Sequence, residues 1–457
     1  MTSAWPVARG RVPEREAFAF AATVLFVVFA GDGIPNLVHW VGWAVICAAA
    51  ATWGITILVR ARPSLRRPPP ALALFLAWCL VTVVWSHWRV PTIASFLPQV
   101  LSTVMAFVIA TTLSWRRIVD AVSLALRWVL WGSLLLELVV AVIVRHPVVP
   151  VWTHYTGHVP DAFFFSRAEL LTGGRIQGLP GNANLLAMVA LLAAVVVAVQ
   201  WAEGRMRRVR AIGWLTVATV VFCLTRSSTV IVAAVVTALV LLAALAIRRI
   251  PTERRTPRYL LGLAVAVALV AVAVVAERPI LALLGKGSDL TGRSDIWAAV
   301  WGMVQQHPVL GWGWIGYWWP NQEPLNHLAI RNGVVYLQAH NAYLDIWMQV
   351  GIVGLVLFVL YLGATTVRAW WNATAFSYGP DQRPLPFTPV SLAPILIVTA
   401  LLVQAFAESR LLYESYWILV AILAIKTRIV LVGEEPASTA DGARTPPARR
   451  EYRQAAR

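Results

Sequence analysis

Apolar residues run along this chain in blocks of about 20, divided by short polar stretches that hold most of its charge. A helix needs about 20 largely apolar residues to cross a bilayer core. Twelve windows meet that requirement: 16–31, 37–59, 70–87, 92–113, 118–144, 183–201, 212–225, 228–247, 259–277, 341–367, 389–407 and 415–431. The pattern predicts an all-α polytopic membrane protein with about twelve transmembrane helices. The seventh window, Ile212–Thr225, is the shortest. Two connections are long, 145–182 and 278–340, and the second carries a helical pattern of its own between spans nine and ten. Residues 1–432 therefore read as one transmembrane domain. Residues 433–457, rich in Ala, Arg, Pro and Glu, read as a disordered basic tail.

Charge then orients the bundle. With a cytoplasmic N-terminus, 27 of the 38 Lys and Arg residues fall on the inner side, Arg127 lies within a span and ten remain outside. Every inner connection shares in the excess, including the basic loops Gly204–Arg210 and Arg248–Arg258. Basic residues on one side mark the cytoplasmic face, so both termini are expected there, in a multi-pass protein of the plasma membrane. Composition agrees: 59% hydrophobic and 13% charged residues, with a mean hydropathy of +0.70, leave too few polar groups to cover a soluble domain. The net charge of +17 and pI near 10.9 then describe topology and the lipid surface, and nucleic acid is not an expected partner. Cys47, Cys79 and Cys223 lie in apolar windows without metal or disulfide spacing. The first apolar run ends at Gly31-Asp32-Gly33 with no small-residue cleavage pattern, so it reads as a retained span.

Candidate chemistry lies among the outer residues. In the second long loop, Thr291-Gly-Arg-Ser-Asp-Ile-Trp297 leads into Ile296, Trp297, Val300, Trp301 and Val304, one apolar stripe at helical spacing. Ser294 suits an N-cap and Asp295 a first turn, so Arg293 is expected beside unpaired backbone N–H groups, an arrangement that suits phosphate. The same arrangement recurs. Span six follows Arg175-Ile-Gln-Gly-Leu-Pro-Gly-Asn182-Ala-Asn184, span eight follows Thr225-Arg226-Ser227-Ser228, and span ten opens at His340-Asn341-Ala-Tyr343-Leu-Asp345. All three spans run inward, so Arg175, Arg226 and Arg293 with three helix dipoles make a site suited to a diphosphate. Each arginine alone also reads as an interfacial residue touching lipid, and Asn182 and Ser227 read as helix caps in either case. His340 is the candidate base, held neutral by the helix terminus; capping span ten is its plainer alternative. Glu408 sits at the outer junction of spans eleven and twelve, where an acid needs a partner, and Arg410 is the neighbour expected to supply it. Gly311-Trp-Gly-Trp-Ile-Gly-Tyr-Trp-Trp319 predicts a shaped interfacial loop in which Trp312, Trp314 and Trp318 can stack on sugar rings. No Asp-x-Asp, His-x-x-x-His or Walker-type pattern occurs, so neither a metal nor any other cofactor is expected.

These residues resemble the O-antigen ligase and polymerase superfamily of bacterial envelope enzymes. The resemblance rests on the four polar segments above, with His307-Pro308, Gly311-Trp-Gly-Trp314 and Gly351-Ile-Val-Gly354, and covers roughly Gly174 to Glu408. The aromatic segment is more like that of the exopolysaccharide polymerases than that of the lipopolysaccharide ligases. What the resemblance implies is a metal-independent, inverting glycosyl transfer at the outer leaflet, from an undecaprenyl-diphosphate-linked glycan donor to a glycan acceptor. It assigns Arg175 and Arg293 to the diphosphate, with Arg226 assisting there, and His340 to the acceptor hydroxyl or else to the leaving phosphate; Asn182, Asn184, Asn341, Tyr343, Glu408 and Arg410 are candidate support. A secondary transporter or lipid-linked oligosaccharide flippase is the rival reading. Such proteins concentrate polar groups near the bilayer midplane, whereas here they cluster at the outer ends of spans.

Overall fold

Segments that are apolar on most faces form helices that either fill the core or face lipid, and both kinds occur here. The computed structural model describes residues 12–64, 68–155, 159–260, 262, 293–331, 334–376 and 386–429. The chain runs through α1 (Glu14–Ala30), α2 (Gly33–Ala61), α3 (Pro70–Val81), α4 (Arg89–Thr112), α5 (Trp115–Val139), α6 (Ala183–Ala202), α7 (Arg208–Thr225) and α8 (Ser228–Arg248). After it come α9 (Arg293–Gln306), α10 (Leu325–Leu328), α11 (Ala342–Thr374), α12 (Ala393–Gln404) and α13 (Glu414–Ile429). Two-residue strands β1 (Ile330–Arg331) and β2 (Val334–Val335) pair antiparallel between α10 and α11. Helix α13 is core: Trp417 to Ile425 are buried throughout. Helix α8 instead leaves Val232, Val235, Leu239 and Leu242 exposed, the face that lipid would cover.

Seven described helices are long and apolar enough to cross a membrane: α2, α4, α5 with its extension to Val144, α6, α7, α8 and α11. Four other windows give helices of fewer than 18 residues, and only α3 and α12 fall well short of their windows. Helix α1 has 17 residues, α3 and α12 have 12 each, and α13 has 16. In α3 the Thr82 hydroxyl donates to the Cys79 carbonyl at 2.6 Å, and the chain tightens into a 3-10 turn over Thr82–Val84. Another 3-10 turn, Pro389–Leu392, occupies the start of the eleventh window. The ninth window, 259–277, lies outside the described residues except at 259, 260 and 262, as do 278–292 and the tail. Helix α7 is longer than its apolar window, because Arg208 and Arg210 form its polar first turn.

Connections sort to two ends, as alternating spans require. At one end Arg116 of α5 meets Glu203 after α6 at 2.8 Å, and Glu203 accepts the Val390 N–H at 2.9 Å. At that end too, Arg248 closing α8 donates to the Ala373 carbonyl in α11 at 2.5 Å. Glu16 of α1 pairs with Arg60 of α2. At the other end Asp32 meets Arg410 at 2.8 Å, and Ser227 meets Asn184 at 2.9 Å.

The expected tenth span, 341–367, is not continuous. Helix α11 has 33 residues, about 50 Å of helix, and its backbone breaks at Gly351 with φ 69°. A Cβ there would collide with the Val309 backbone, as one on Gly311, also at positive φ, would collide with Gln349 and Gly351. The break is where residues 308–313 enter. Ile352 N–H donates to Pro308 O at 2.9 Å, Trp312 N–H to Met348 O at 3.0 Å and Gly313 N–H to Gln349 O at 2.7 Å. The half-helix Ala342–Val350 thus belongs partly to the loop, which has its own core of Trp88, Ile296, Val300, Val304, Trp318 and Met348.

The stripe on α9 is correct in phase but narrower than expected. Ile296, Val300, Met303 and Val304 are buried, while Trp301 is 42% exposed and meets Trp347 edge-on. Ser294 lies inside the helix and not before it.

Candidate functional site

Asn182 and Asn341 have the extended backbone and side-chain acceptors that start helices. Asn182 Oδ1 takes the N–H groups of Asn184 and Leu185; Asn341 Oδ1 takes those of Tyr343 and Leu344. Ser227 caps α8 by accepting from Val230. The starts of α6 and α8 touch through Ser227 and Asn184, and the start of α11 is tied to the end of α12 by Ala342 N–H to Ala405 O at 2.8 Å. Three helix N-termini therefore face one region.

Glu408, 2% exposed, stands at its centre. Its Oε1 accepts from Arg293 at 3.2 Å and from Asn184 Nδ2 at 3.0 Å, and its Oε2 lies 3.2 Å from His340 Nδ1. Asn184 passes the chain onward: its Oδ1 accepts from Arg175 at 3.1 Å. Arg175 is fixed further by its Nε on the Thr225 carbonyl at 2.9 Å and by its backbone N–H on Glu169 at 3.0 Å. Arg175, Arg293 and His340 are thus brought together, through Asn184 and Glu408. Arg226 follows Thr225 directly and closes α7 in the left-handed conformation, φ 49°. Its side chain is exposed, beside the Gly173 turn, with no hydrogen bond or ion pair among the described residues.

Burial alone would raise the Glu408 carboxyl. The charge of His340, its hydrogen bond, Arg293 and the Asn184 amide outweigh that and hold it at about 2. Burial, then the positive charges of Arg167 and Arg293, lower Arg175 from the usual arginine range.

Three expectations change here. Arg410 is not the partner of Glu408; it pairs with Asp32, while Glu408 serves Arg293, His340 and Asn184. His340 precedes α11, with φ 51°, and its Nδ1 faces the Glu408 carboxylate as well as the helix start. Trp314 and Trp318 are fully buried and offer no face to a sugar: Trp318 Nε1 donates to Asp345 at 2.9 Å. Trp312 is half-buried, its Nε1 on the Met303 carbonyl. Tyr343 packs on Phe406 and donates to Leu402 O at 3.4 Å, away from the cluster.

Two residues absent from the expected set position it. Glu137, buried in α5, accepts from Gln177 N at 2.9 Å, Gly178 N at 2.8 Å and Ser166 Oγ at 2.8 Å, pinning the loop that carries Arg175. Asp345 accepts from Trp318, Gln349 and the Ala339 N–H, fixing the backbone just before His340. Glu137 was findable, as an acid deep within an apolar window. Among the described residues no three His, Cys, Asp or Glu side chains are grouped as a metal site.

The O-antigen ligase family model matches residues 211–359. Over those residues the chain is similar to that family. The match supports a multi-pass membrane protein of ligase or polymerase type, acting in polysaccharide biosynthesis. It includes Arg226, Arg293 and His340; the stretch from Arg175 to Asn184 and Glu408 lie beyond it, so it is shorter than the resemblance suggested. No curated protein matches the chain.

Proposed function

We propose that the protein transfers a glycan from undecaprenyl diphosphate to an acceptor sugar hydroxyl at the extracytoplasmic face, with inversion and without a metal. The topology of this reading is twelve spans with both termini in the cytoplasm of a plasma-membrane protein. The observation that carries it is the buried Glu408 joining Arg293 to His340, with Arg175 one amide away. Glu408 accepts the Nδ1–H of His340, which leaves Nε2 to take the proton of the acceptor hydroxyl. The freed oxygen attacks the anomeric carbon as the bond to the diphosphate breaks, and the diphosphate leaves with the electron pair. Arg293 has five N–H donors and spends one on Glu408, so others remain for the phosphates, together with Arg175 and Arg226. A diphosphate leaves readily, and positioning with charge neutralisation supplies most of the acceleration.

Membranes holding the protein, given purified donor and acceptor in the presence of a chelator, should lengthen the acceptor. Arg293→Ala and His340→Ala should each lower that transfer about 100-fold or more, the scale for loss of one preorganised charge or proton-transfer group. Full activity in either variant would remove the site.

A further inference from the structure

Away from Glu408, the connection between α3 and α4 meets the aromatic loop and leaves a cavity of about 600 Å³. That lies within the range of small-ligand sites, about 300–1,000 Å³. His87, Arg89, Pro91, Trp319 and Gln322 line it, and among the described residues no acidic side chain does. The walls are fixed. Trp88 Nε1 donates to Glu323 O at 2.8 Å, His87 N–H to Trp312 O at 3.1 Å, and Trp319 Nε1 to Ser95 Oγ at 3.0 Å. The His87 ring packs on Trp312 and His307, with centroids 4.5 and 5.2 Å apart, and Arg89 is tied less closely to the fold. His87 and Arg89 are exposed, and Trp319 and Gln322 half-buried. Among the described residues the Arg89 side chain makes one hydrogen bond, 3.3 Å to Val84 O. Glu323, next to the cavity, is turned to Asn326 and His327.

The same loop reaches the cluster at Glu408. Trp318, adjacent to Trp319, donates its N–H to Leu337 O at 3.2 Å and its Nε1 to Asp345, whose other oxygen holds Ala339 beside His340. An indole for a sugar ring, an amide for hydroxyls and a guanidinium fork with an imidazole for an anion match one ligand class. We propose that this cavity is a glycan subsite for a carboxylated sugar, gripping a unit of the chain distant from the bond being made. The proposal rests on the glycan-transfer reading and adds to it the charge of the glycan.

Purified full-length protein in detergent, titrated by calorimetry with tetragalacturonate and with neutral maltotetraose, tests it. Tetragalacturonate should bind, and Arg89→Ala should weaken it about 10-fold, as should rising salt. Gln322→Ala, a second variant in the lining, should weaken it less. Maltotetraose should bind far more weakly and be indifferent to Arg89→Ala. Equal affinity for the two sugars, or tetragalacturonate binding untouched by Arg89→Ala, overturns the subsite. Arg293→Ala and His340→Ala keep the two readings apart, since both should bind tetragalacturonate like the unaltered chain. Arg89-dependent binding in a chain with no transfer activity would uphold the subsite and remove the transfer reading.

Discussion

Arginines and acids gather at both ends of the helices, but the two gatherings are balanced differently. Where α5 begins, Arg116 meets Glu203, Arg117 meets Glu14 and Asp120, and Arg205 meets Asp120 at 2.5 Å. Gln200 and Ser123 complete a network in which each of those cations has its own carboxylate. At the opposite end Glu408 serves both Arg293 and His340, while the guanidinium groups of Arg175 and Arg226 face no carboxylate within ion-pair distance among the described residues. A closed network ties helices together and has nothing left to offer a ligand. An under-neutralised one, held rigid by a buried acid, presents positive charge that a polyanion can complete.

Removing the acid breaks this contrast most severely. Glu408→Gln leaves Arg293 and His340 near each other without the charge between them, and transfer should fall about 1,000-fold, roughly 4 kcal/mol in the barrier. Arg293 and His340, which bond different oxygens of Glu408, then meet an amide with one acceptor oxygen and a donor NH2 in place of the second. Transfer within 10-fold of the unaltered chain would make Glu408 a fold residue only.

Acid titration separates stability from catalysis. The folded Glu408 carboxyl lies at about 2 against an ordinary 4.5, so it is depressed. Its stabilisation is complete above about 4.5 and is lost as pH falls from there toward 2, a contribution on the order of 3 kcal/mol. Thermal unfolding in detergent should show the melting temperature of the unaltered chain falling steeply through that window. Glu408→Gln should be less stable at pH 7 and show a shallower acid fall. Parallel curves for the two proteins would mean that other acids account for the acid limb.

The closed network predicts the reverse pattern. Asp120→Asn takes one carboxylate from Arg117 and Arg205, which are partly exposed and keep some solvent screening. It should cost about 1–2 kcal/mol of stability. Transfer by the protein that remains folded should be unchanged, because no member of that network touches the Glu408 cluster. A fall in transfer larger than the loss of folded protein would show that the two ends are coupled.

Much of this contrast was legible along the chain, and its central residue was only partly so. Arg293 and His340 announce themselves because each stands at or just before a helix start, and Arg175 because it opens the polar segment that leads into α6. Glu408 was visible as an acid at a span junction, but its partners Asn184, Arg293 and His340 are remote in sequence, and Arg410 looked nearer than it is useful. The aromatic segment misled for a similar reason. Glycine and tryptophan together fit an exposed shelf or a packed loop, and only Asp345, which takes the Trp318 indole N–H, decides for packing. Helix lengths failed where hydroxyls and prolines tighten the ends into 3-10 turns, as at Thr82 and Pro389. The break at Gly351 depends on an incoming loop that periodicity within α11 does not record.

Arg226 supplies the finest test of what an under-neutralised end is for. It belongs to the same end as Arg175 through Thr225, yet its side chain is exposed and makes no hydrogen bond or ion pair among the described residues. If the excess charge serves the donor, Arg226 contributes attraction that is nearly equal before and during bond breaking. Such uniform binding sets KM and leaves kcat alone. Arg226→Lys keeps the charge and should change little. Arg226→Gln should raise KM for the lipid-linked donor about 3- to 10-fold, roughly 1 kcal/mol, with kcat within about 2-fold. The difference between the two variants should shrink as salt rises, since an exposed charge acts through solvent. A matched fall in kcat with KM unmoved would instead bring Arg226 to the leaving phosphate itself, beside Arg175 and Arg293.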